Sequence, residues 1–243
     1  RYAVQAEQLG TGHAVMAAEA LVTDRDGDVM ILPGDMPLID STVCERALLE
    51  HHERRHDLTI VTTRVDEPFG YGRIIRNESG YLESIIEEHE ATQAQRAIDE
   101  INTGIYVVRT SVLFDSLHKT NNDNKKHEYY LTDIVKIAKD DEFVLGTYFL
   151  KDSVKSMGVN DLYALSIAEA KLRLKINKQH MLNGVAMINP ETITIGHNVV
   201  IEENVIINPN SFITGNSVIK KGAVIGPNTE IHESMIGENV VCR

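Results

Sequence analysis

Tryptophan is absent from this 243-residue chain, cysteine occurs twice, and positive charge is scarce beside negative charge. The 36 acidic side chains outnumber the 24 lysines and arginines, and the net charge of −12 argues against a nucleic-acid or anionic-membrane partner. Cys44 and Cys242 lie far apart without Cys-x-x-Cys spacing. They indicate neither a disulfide framework nor a zinc site, and they fit a reducing cytosol. No apolar run approaches the roughly 20 residues of a membrane helix.

An uninterrupted apolar run, Val29-Met30-Ile31-Leu32, ends at Pro33-Gly34 and is followed at once by Asp35. Such a run predicts a strand covered on both faces, as in a parallel α/β sheet. Ligands of open α/β sheets bind just beyond the carboxyl ends of strands, so Asp35 stands where a metal-bound phosphate would be held. A turn aspartate after a strand is the ordinary alternative.

A glycine-containing loop precedes the first predicted helix. Gly10 and Gly12 bracket Thr11, and a helical pattern follows. Such a loop lets backbone N–H groups approach an anion at a helix N-terminus, although a plain tight turn has the same sequence. Gln5 and Gln8 carry amides that can read the edge of a nucleotide base.

Two polar residues are predicted at the mouths of neighbouring strands. Glu87, with Glu88 beside it, ends the strand at 81–86, and Asn102 opens the apolar strand at 101–108. A carboxylate and an amide arriving together can share the hydroxyl groups of a sugar. A solvated glutamate and a turn-capping asparagine are the alternatives. Upstream, Gly70 and Gly72 leave room for a close approach to the backbone, with a plain turn as the alternative.

Helix starts are predicted at two further places. Ser41 is a plausible N-cap for a helix at 41–56, and Thr132 or Asp133 for a helix that follows. Asn160, read alone, caps a long helix at 162–181. The apolar residues of that helix at helical spacing predict one packed face: Leu165, Ala168, Leu172 and Ile176.

From Ile195 onwards the pattern changes completely. Isoleucine recurs every six residues, and small or modest residues follow four places later, from Val199 to Thr229. This period predicts a parallel β-helix in which three hexads make one coil and isoleucines stack inside. The phase slips by one at Ile236. The in-phase isoleucines are Ile195, Ile201, Ile207, Ile213, Ile219, Ile225 and Ile231.

Taken together, these stretches resemble the bacterial bifunctional N-acetylglucosamine-1-phosphate uridyltransferase/glucosamine-1-phosphate acetyltransferase family. The likeness covers essentially the whole chain, and the motifs occur in the family's order. They are the segments 5–14, 34–35, 70–73, Glu87, 100–104, 128–133 and 158–160, followed by the hexapeptide coil.

The resemblance implies a truncated α/β Rossmann-like nucleotidyltransferase domain at 1–161, a linker helix at 162–183, and the start of a left-handed parallel β-helix of hexapeptide repeats at 184–243. Because the chain opens at Arg1, almost inside a motif, and no signal peptide precedes it, we expect a fragment of a cytoplasmic protein. The family's Gly-rich entry and its acetyltransferase residues are expected outside this fragment, which we therefore expect to be inactive alone.

The resemblance also implies roles for individual residues. Asp35 and Asn160 look like the Mg²⁺ ligands, and Asn160 also touches the nucleotide. The choice of Glu87 over Glu88 is open by one position, and segment 128–133 borders the sugar pocket, although helix capping is favoured for it here. The uridine side would be held by Gln5, Gly10, Thr11, Pro33 and Gly34, and N-acetylglucosamine 1-phosphate by Gly72, Glu87 and Asn102.

The implied reaction transfers UMP from UTP to N-acetylglucosamine 1-phosphate, giving UDP-N-acetylglucosamine and pyrophosphate for cell-envelope precursors. In the full-length protein the β-helix would belong to a second, acetyl-CoA-dependent acetyltransferase, and we expect a homotrimer. One alternative is a monofunctional sugar-nucleotide transferase with a β-helix used only for assembly. Another is a non-catalytic scaffold, which would need none of Asp35, Glu87, Asn102 and Asn160.

Overall fold

The computed structural model describes all 243 residues and divides into two compact units, Arg1–Met157 and Gly158–Arg243. The sequence places the domain boundary at 161, and the contact boundary falls at Met157. The long helix predicted as a linker lies within the second unit. No helix in the chain has both the length and the apolar character that crossing a membrane requires.

The first unit is built on a six-stranded sheet of order β4-β3-β5-β2-β6, with β1 also paired to β5. The central strand β5 runs antiparallel to β1, β2 and β3, whereas β2 and β6 are parallel. A turn at 77–80 joins the antiparallel strands β3 and β4. The strands are β1 (Asp28–Ile31), β2 (Leu58–Arg64), β3 (Arg73–Arg76), β4 (Leu82–Ile86), β5 (Glu100–Arg109) and β6 (Leu145–Phe149).

Strand β1 exists where the apolar run predicts it, and its residues pack on the apolar clusters of both faces, but its expected parallel direction is wrong. Val29 pairs with Val108 of β5 in antiparallel register. Residues 29–31 are only half-buried. An apolar run indicates contact with a core, but it carries no information on the direction of the partner strand.

Strands β2 and β5 form the buried centre of the sheet. Because side chains alternate across a strand, Ile60 and Tyr106 join one apolar cluster while Val61 and Ile105 join the other. Helices cover both faces, which explains why β2 reads as a nearly continuous β-branched run. The fold is therefore a Rossmann-like α/β arrangement with two cores.

The helices of the first unit are short, and the cap predicted at Ser41 is wrong. Helix α2 is capped by Asp40, whose carboxylate accepts the Val43 N–H at 3.4 Å, so Ser41 is its first residue and not its cap. The helices are α1 (Thr11–Ala17), α2 (Ser41–Glu53), α3 (Gln93–Arg96), α4 (Thr110–Leu117) and α5 (Asp133–Asp140), with 3₁₀ turns at Glu19–Leu21 and Ser153–Ser156.

The second unit contains the predicted parallel β-helix. Strands eighteen residues apart pair in register, for example Ile195 with Ile213 and Ile213 with Ile231. At the predicted slip Ile219 pairs with Ile236. The strands are β7 (Ala186–Met187), β8 (Thr194–Ile195), β9 (Val200–Ile201), β10 (Ile206–Ile207), β11 (Phe212–Thr214), β12 (Val218–Ile219), β13 (Val224–Ile225), β14 (Glu230–His232), β15 (Met235–Ile236) and β16 (Val241–Cys242), with a 3₁₀ turn at Pro190–Thr192.

The repeating isoleucines form the interior of this coil. The side chains of Ile207, Ile213, Ile219 and Ile225 are fully buried. The small residues of the period are buried beside them, as at Ser217. The six-residue repeat therefore builds a continuous apolar core, as predicted.

Helix α6 (Leu162–Leu182) begins and ends close to its predicted bounds, but its predicted packed face is wrong. Ala168 is buried and Ile176 packs on the coil core. Leu165 and Leu172, however, are 47% and 42% exposed. Helical spacing identifies an apolar stripe on a helix, but it does not show which part of that stripe is buried or against which residues.

Candidate active site

A cavity of about 500 Å³ in the first unit brings together residues from distant parts of the sequence. Among the predicted site residues, Thr11, Pro33, Glu87 and Asn102 line it. The remaining wall is mostly apolar and comes from α1 and β1, with Tyr106 and Thr132 adding hydroxyl groups. A largely apolar cleft with a few convergent polar groups is typical of a small-molecule site.

The glycine loop before α1 packs closely on segment 128–131. A Cβ on Gly10, whose φ is +106°, would lie 2.6 Å from the Tyr129 carbonyl oxygen. The Gly12 N–H donates to that same oxygen at 2.8 Å, so it is not available to an anion as the loop sequence suggested. The Thr11 hydroxyl accepts the Leu131 N–H at 3.0 Å. These glycines are therefore required by backbone packing.

Gln5 also contacts this glycine loop. Its amide nitrogen donates to the Gly10 carbonyl at 3.1 Å and contacts His13 Nδ1 at 3.1 Å. The donor end of the amide is thus used within the protein. Any contact from Gln5 to a nucleotide base would come from its carbonyl oxygen.

The Asn102 side chain is fixed at both of its ends. Its Oδ1 accepts the Gly104 N–H at 2.9 Å, and its Nδ2 donates to the Tyr106 hydroxyl at 2.8 Å. The Asn102 backbone N–H donates to the Gly72 carbonyl at 2.9 Å. A Cβ on Gly72 would lie 3.6 Å from Asn102 Cβ and 3.7 Å from Glu87 Oε2. The three residues predicted on the sugar side therefore lie together.

The adjacent residues Glu87 and Glu88 have different surroundings. Glu87 lines the cavity and accepts a hydrogen bond from the Thr132 hydroxyl at 2.9 Å. Glu88 is buried and accepts one from Arg73 at 2.6 Å. Burial acts to raise the pKa of the Glu88 carboxyl, but Arg73 and the Gly70 N–H outweigh it and hold that pKa below its usual range. Glu87 is thus the glutamate that faces the cavity.

Arg73 connects Glu88 to the loop that carries Gly72. Its side chain is 1% exposed, and besides Glu88 it donates to the Tyr71 carbonyl and, at 3.4 Å, to the Arg96 carbonyl. Glu88 also accepts the Gly70 N–H at 3.3 Å. This buried ion pair therefore sets the path of loop 70–72 beside the cavity.

Thr132 does not have the side-chain capping role predicted for it. It occupies the N-cap position of α5, but its hydroxyl makes no capping bond and donates to Glu87 instead. Next to it, burial first and the Glu87 charge second raise the pKa of Asp133 from 3.8 to about 6. The border of the cavity therefore concentrates negative charge.

The two residues predicted as metal ligands lie in different units. Asp35 is exposed in the turn after β1, two residues beyond Pro33 of the cavity wall, and Gly34 has open space around it. Asn160 is exposed in the second unit. It does not cap α6, because the Asp161 carboxylate accepts the Ala164 N–H at 2.7 Å and provides that cap.

Two residues of this region received no functional role from the sequence analysis. Tyr106 lies inside an apolar strand where its hydroxyl is indistinguishable from that of an ordinary core tyrosine, and Arg73 follows a turn glycine. For Tyr106, its position four residues after Asn102 on the same strand is the one available clue, because both side chains then share a face.

Comparisons with known proteins identify the family to which the first unit belongs. A protein-family model described as nucleotidyl transferase matches residues 1–165. The chain is 53% identical over its full length to "Bifunctional protein GlmU" of Acholeplasma laidlawii, of which it covers 53%. It is 44% identical over 98% of its length to the protein of the same name from Pediococcus pentosaceus, of which it covers 51%. The chain thus spans about half the length of the curated relatives it matches.

The fold is also similar to that of a solved structure, a UDP-glucose pyrophosphorylase complexed with UDP-glucose. The TM-score is 0.54 at 18% identity, over 72% of this chain and 66% of the other. That similarity concerns the fold alone. The family model covers well over half of the sequence and coincides with the unit that carries the cavity, and the chain belongs to the nucleotidyl transferase family.

Proposed function

We propose that this chain is the uridyltransferase part, and the beginning of the β-helix part, of a bifunctional cytoplasmic enzyme. The first reaction transfers UMP from UTP to N-acetylglucosamine 1-phosphate and gives UDP-N-acetylglucosamine and pyrophosphate. The observation that carries this proposal is the shared cavity, which Thr11 and Pro33 line together with the sugar-side pair Glu87 and Asn102. The similarity to relatives named bifunctional GlmU supports it.

The polar groups of the cavity suit a sugar. Glu87 accepts hydrogen bonds from hydroxyl groups, while Asn102 offers one remaining N–H and one remaining lone pair. Gly72, whose carbonyl accepts the Asn102 backbone N–H at 2.9 Å, would complete the sugar side. On the other side, Gln5, Gly10, Thr11, Pro33 and Gly34 would hold the uridine portion.

In the reaction, a phosphate oxygen of the sugar attacks the α-phosphorus of UTP in line. A new P–O bond forms while the bond to pyrophosphate breaks. Asp35 and Asn160 would hold a Mg²⁺ ion, which supplies the positive charge that offsets repulsion between the anionic oxygens. An exposed carboxylate and an exposed amide fit this ion, since Mg²⁺ takes few protein oxygens and keeps substrate oxygens and water.

For the second unit we propose part of an acetyl-CoA-dependent glucosamine-1-phosphate acetyltransferase assembled as a homotrimer. Outward-facing positions along β7, β10, β13 and β16 are apolar, and Ile206 and Val241 are 40% and 56% exposed. Val200 and Met235 extend a second apolar row on β9, β12 and β15. Burying such rows against identical subunits would remove apolar surface from water. Sedimentation of the full-length protein as a monomer would contradict the trimer.

The test is an assay of the full-length protein with UTP, Mg²⁺ and N-acetylglucosamine 1-phosphate. We expect pyrophosphate release that EDTA abolishes and that Asp35→Ala lowers by at least about a hundredfold, since a transition-state charge contact is lost. Glu83→Ala, on an exposed part of β4 outside the cavity, is the control and retains activity. Absence of turnover in both the unsubstituted protein and Asp35→Ala would favour the scaffold alternative.

A further inference from the structure

The Asn102 amide has a neighbour that fixes which way it faces. A backbone N–H can bond only to the amide oxygen, so Gly104 determines the position of Oδ1. The Tyr106 hydroxyl oxygen then accepts from Nδ2. With both contacts made, the amide cannot rotate without breaking a hydrogen bond, and its remaining N–H and lone pair keep fixed directions.

Tyr106 is itself held rigidly. Its side chain is 1% exposed and belongs to the apolar cluster that contains Ile60, Phe114 and Ile134. Burial first, and then the negative charge of Glu87, raise the pKa of the phenol, so it stays protonated at neutral pH. The ring is thus anchored in the core while its hydroxyl lines the cavity.

We propose that Tyr106 is a positioning residue for the sugar phosphate, acting by holding the Asn102 amide in the orientation that receives a pyranose hydroxyl. This inference rests on the proposed function. A sugar hydroxyl both donates and accepts, so a site that recognises it gains from an amide whose donor and acceptor cannot exchange places. Tyr106 contributes that restriction from the core side, in addition to Gly104.

The proposal predicts a particular kinetic signature. Tyr106→Phe keeps the buried ring but removes the oxygen that Asn102 bonds. Losing one hydrogen bond of this kind raises the KM for N-acetylglucosamine 1-phosphate by about threefold to tenfold. The kcat and the KM for UTP stay close to those of the unsubstituted protein, because Tyr106 acts only on the sugar side.

The experiment measures these constants in the full-length protein for Tyr106→Phe, Asn102→Ala and the double variant. If Tyr106 acts through Asn102, then Tyr106→Phe has no further effect once Asn102 is alanine. Tyr81→Phe, at a tyrosine that is 71% exposed, is the control and leaves both KM values unchanged. Thermal unfolding of each variant verifies that the fold is retained.

The possible failures are distinguishable. If the unsubstituted protein is active but Tyr106→Phe leaves the sugar-phosphate KM unchanged, or the two substitutions act additively, this inference is wrong and the proposed function stands. If the unsubstituted protein neither turns over nor binds N-acetylglucosamine 1-phosphate in a calorimetric titration, the proposed function is wrong and this inference falls with it.

Discussion

Substituting the adjacent glutamates Glu87 and Glu88 separately should produce opposite results. Glu88 forms a buried ion pair with Arg73, whereas Glu87 lines the cavity with only the Thr132 hydroxyl as a hydrogen-bond donor. We therefore expect Glu88→Gln to reduce the free energy of unfolding, and Glu87→Gln to reduce the affinity for the sugar nucleotide.

The cost of Glu88→Gln follows from what it leaves behind. Arg73 is 1% exposed, so neutralising Glu88 leaves a buried guanidinium charge without its counter-charge. Removing one member of a buried pair costs about 3–5 kcal/mol, and glutamine keeps one acceptor oxygen, so we expect about 3 kcal/mol. For a unit of this size that corresponds to a fall in Tm of roughly 6–12 °C.

Glu87→Gln should leave stability nearly unchanged. Glutamine still accepts the Thr132 hydroxyl, and removing the negative charge relieves repulsion with Asp133. Its effect appears in binding, because a hydrogen bond to a charged group is worth about 1.5–3 kcal/mol. The affinity for UDP-N-acetylglucosamine should therefore fall by about tenfold to a hundredfold.

Tyrosine fluorescence during urea unfolding measures the stability change in the correct unit. Of the eight tyrosines, only Tyr163 lies outside the first unit. Calorimetric titration with UDP-N-acetylglucosamine measures the binding change. The reasoning would be refuted if Glu88→Gln unfolded at the same urea concentration as the unsubstituted protein, or if Glu87→Gln lost stability but kept its affinity.

Two further predictions concern the pH dependence of stability and the coil. Because the folded pKa of Asp133 is about 6 against 3.8 ordinarily, stability falls as pH rises between these values, and Asp133→Asn removes that fall. Between about pH 4 and 7, the urea midpoint of Asp133→Asn should rise increasingly above that of the unsubstituted protein. A difference that stays constant with pH would contradict this prediction. In the coil, Ile213→Ala should lower the free energy of unfolding, followed by circular dichroism, by about 2–5 kcal/mol. Glu230→Ala, at an outward-facing position, should change it by less than about 0.5 kcal/mol.

The coil could be predicted in detail because its contacts repeat along the chain. Ile195, Ile213 and Ile231 stack one above another, and each sits at the same place of its hexad. Even the slip at Ile236 appears in the pairing with Ile219. In such a fold the spacing of residues along the sequence determines which residues are neighbours in space.

The cavity was predictable only in outline. The motifs identified Thr11, Glu87 and Asn102, and the fold brings them to one place. The sequence left the choice between Glu87 and Glu88 open, because their difference depends on Arg73, fifteen residues earlier. Likewise the Thr132 hydroxyl bonds Glu87 across 45 residues, and no local capping rule could reveal that preference.

The direction of a strand and the partner that buries a helix face also could not be predicted from the sequence. The run at Val29 indicated a core strand, but its antiparallel pairing depends on Val108 of β5, far along the chain. On α6, the stripe containing Leu165 and Leu172 looked like a buried face, and both residues are exposed. Each case depends on a partner that the pattern itself does not contain.

The most direct test of the account is a crystal structure of the full-length protein with UDP-N-acetylglucosamine and Mg²⁺. We predict one Mg²⁺ ion with oxygens of Asp35 and Asn160 at about 2.0–2.1 Å, and a sugar bonded to Glu87 and Asn102. The account would be contradicted if the side-chain oxygens of Asp35 and Asn160 lay much farther apart than about twice that bond length and other residues held the ion.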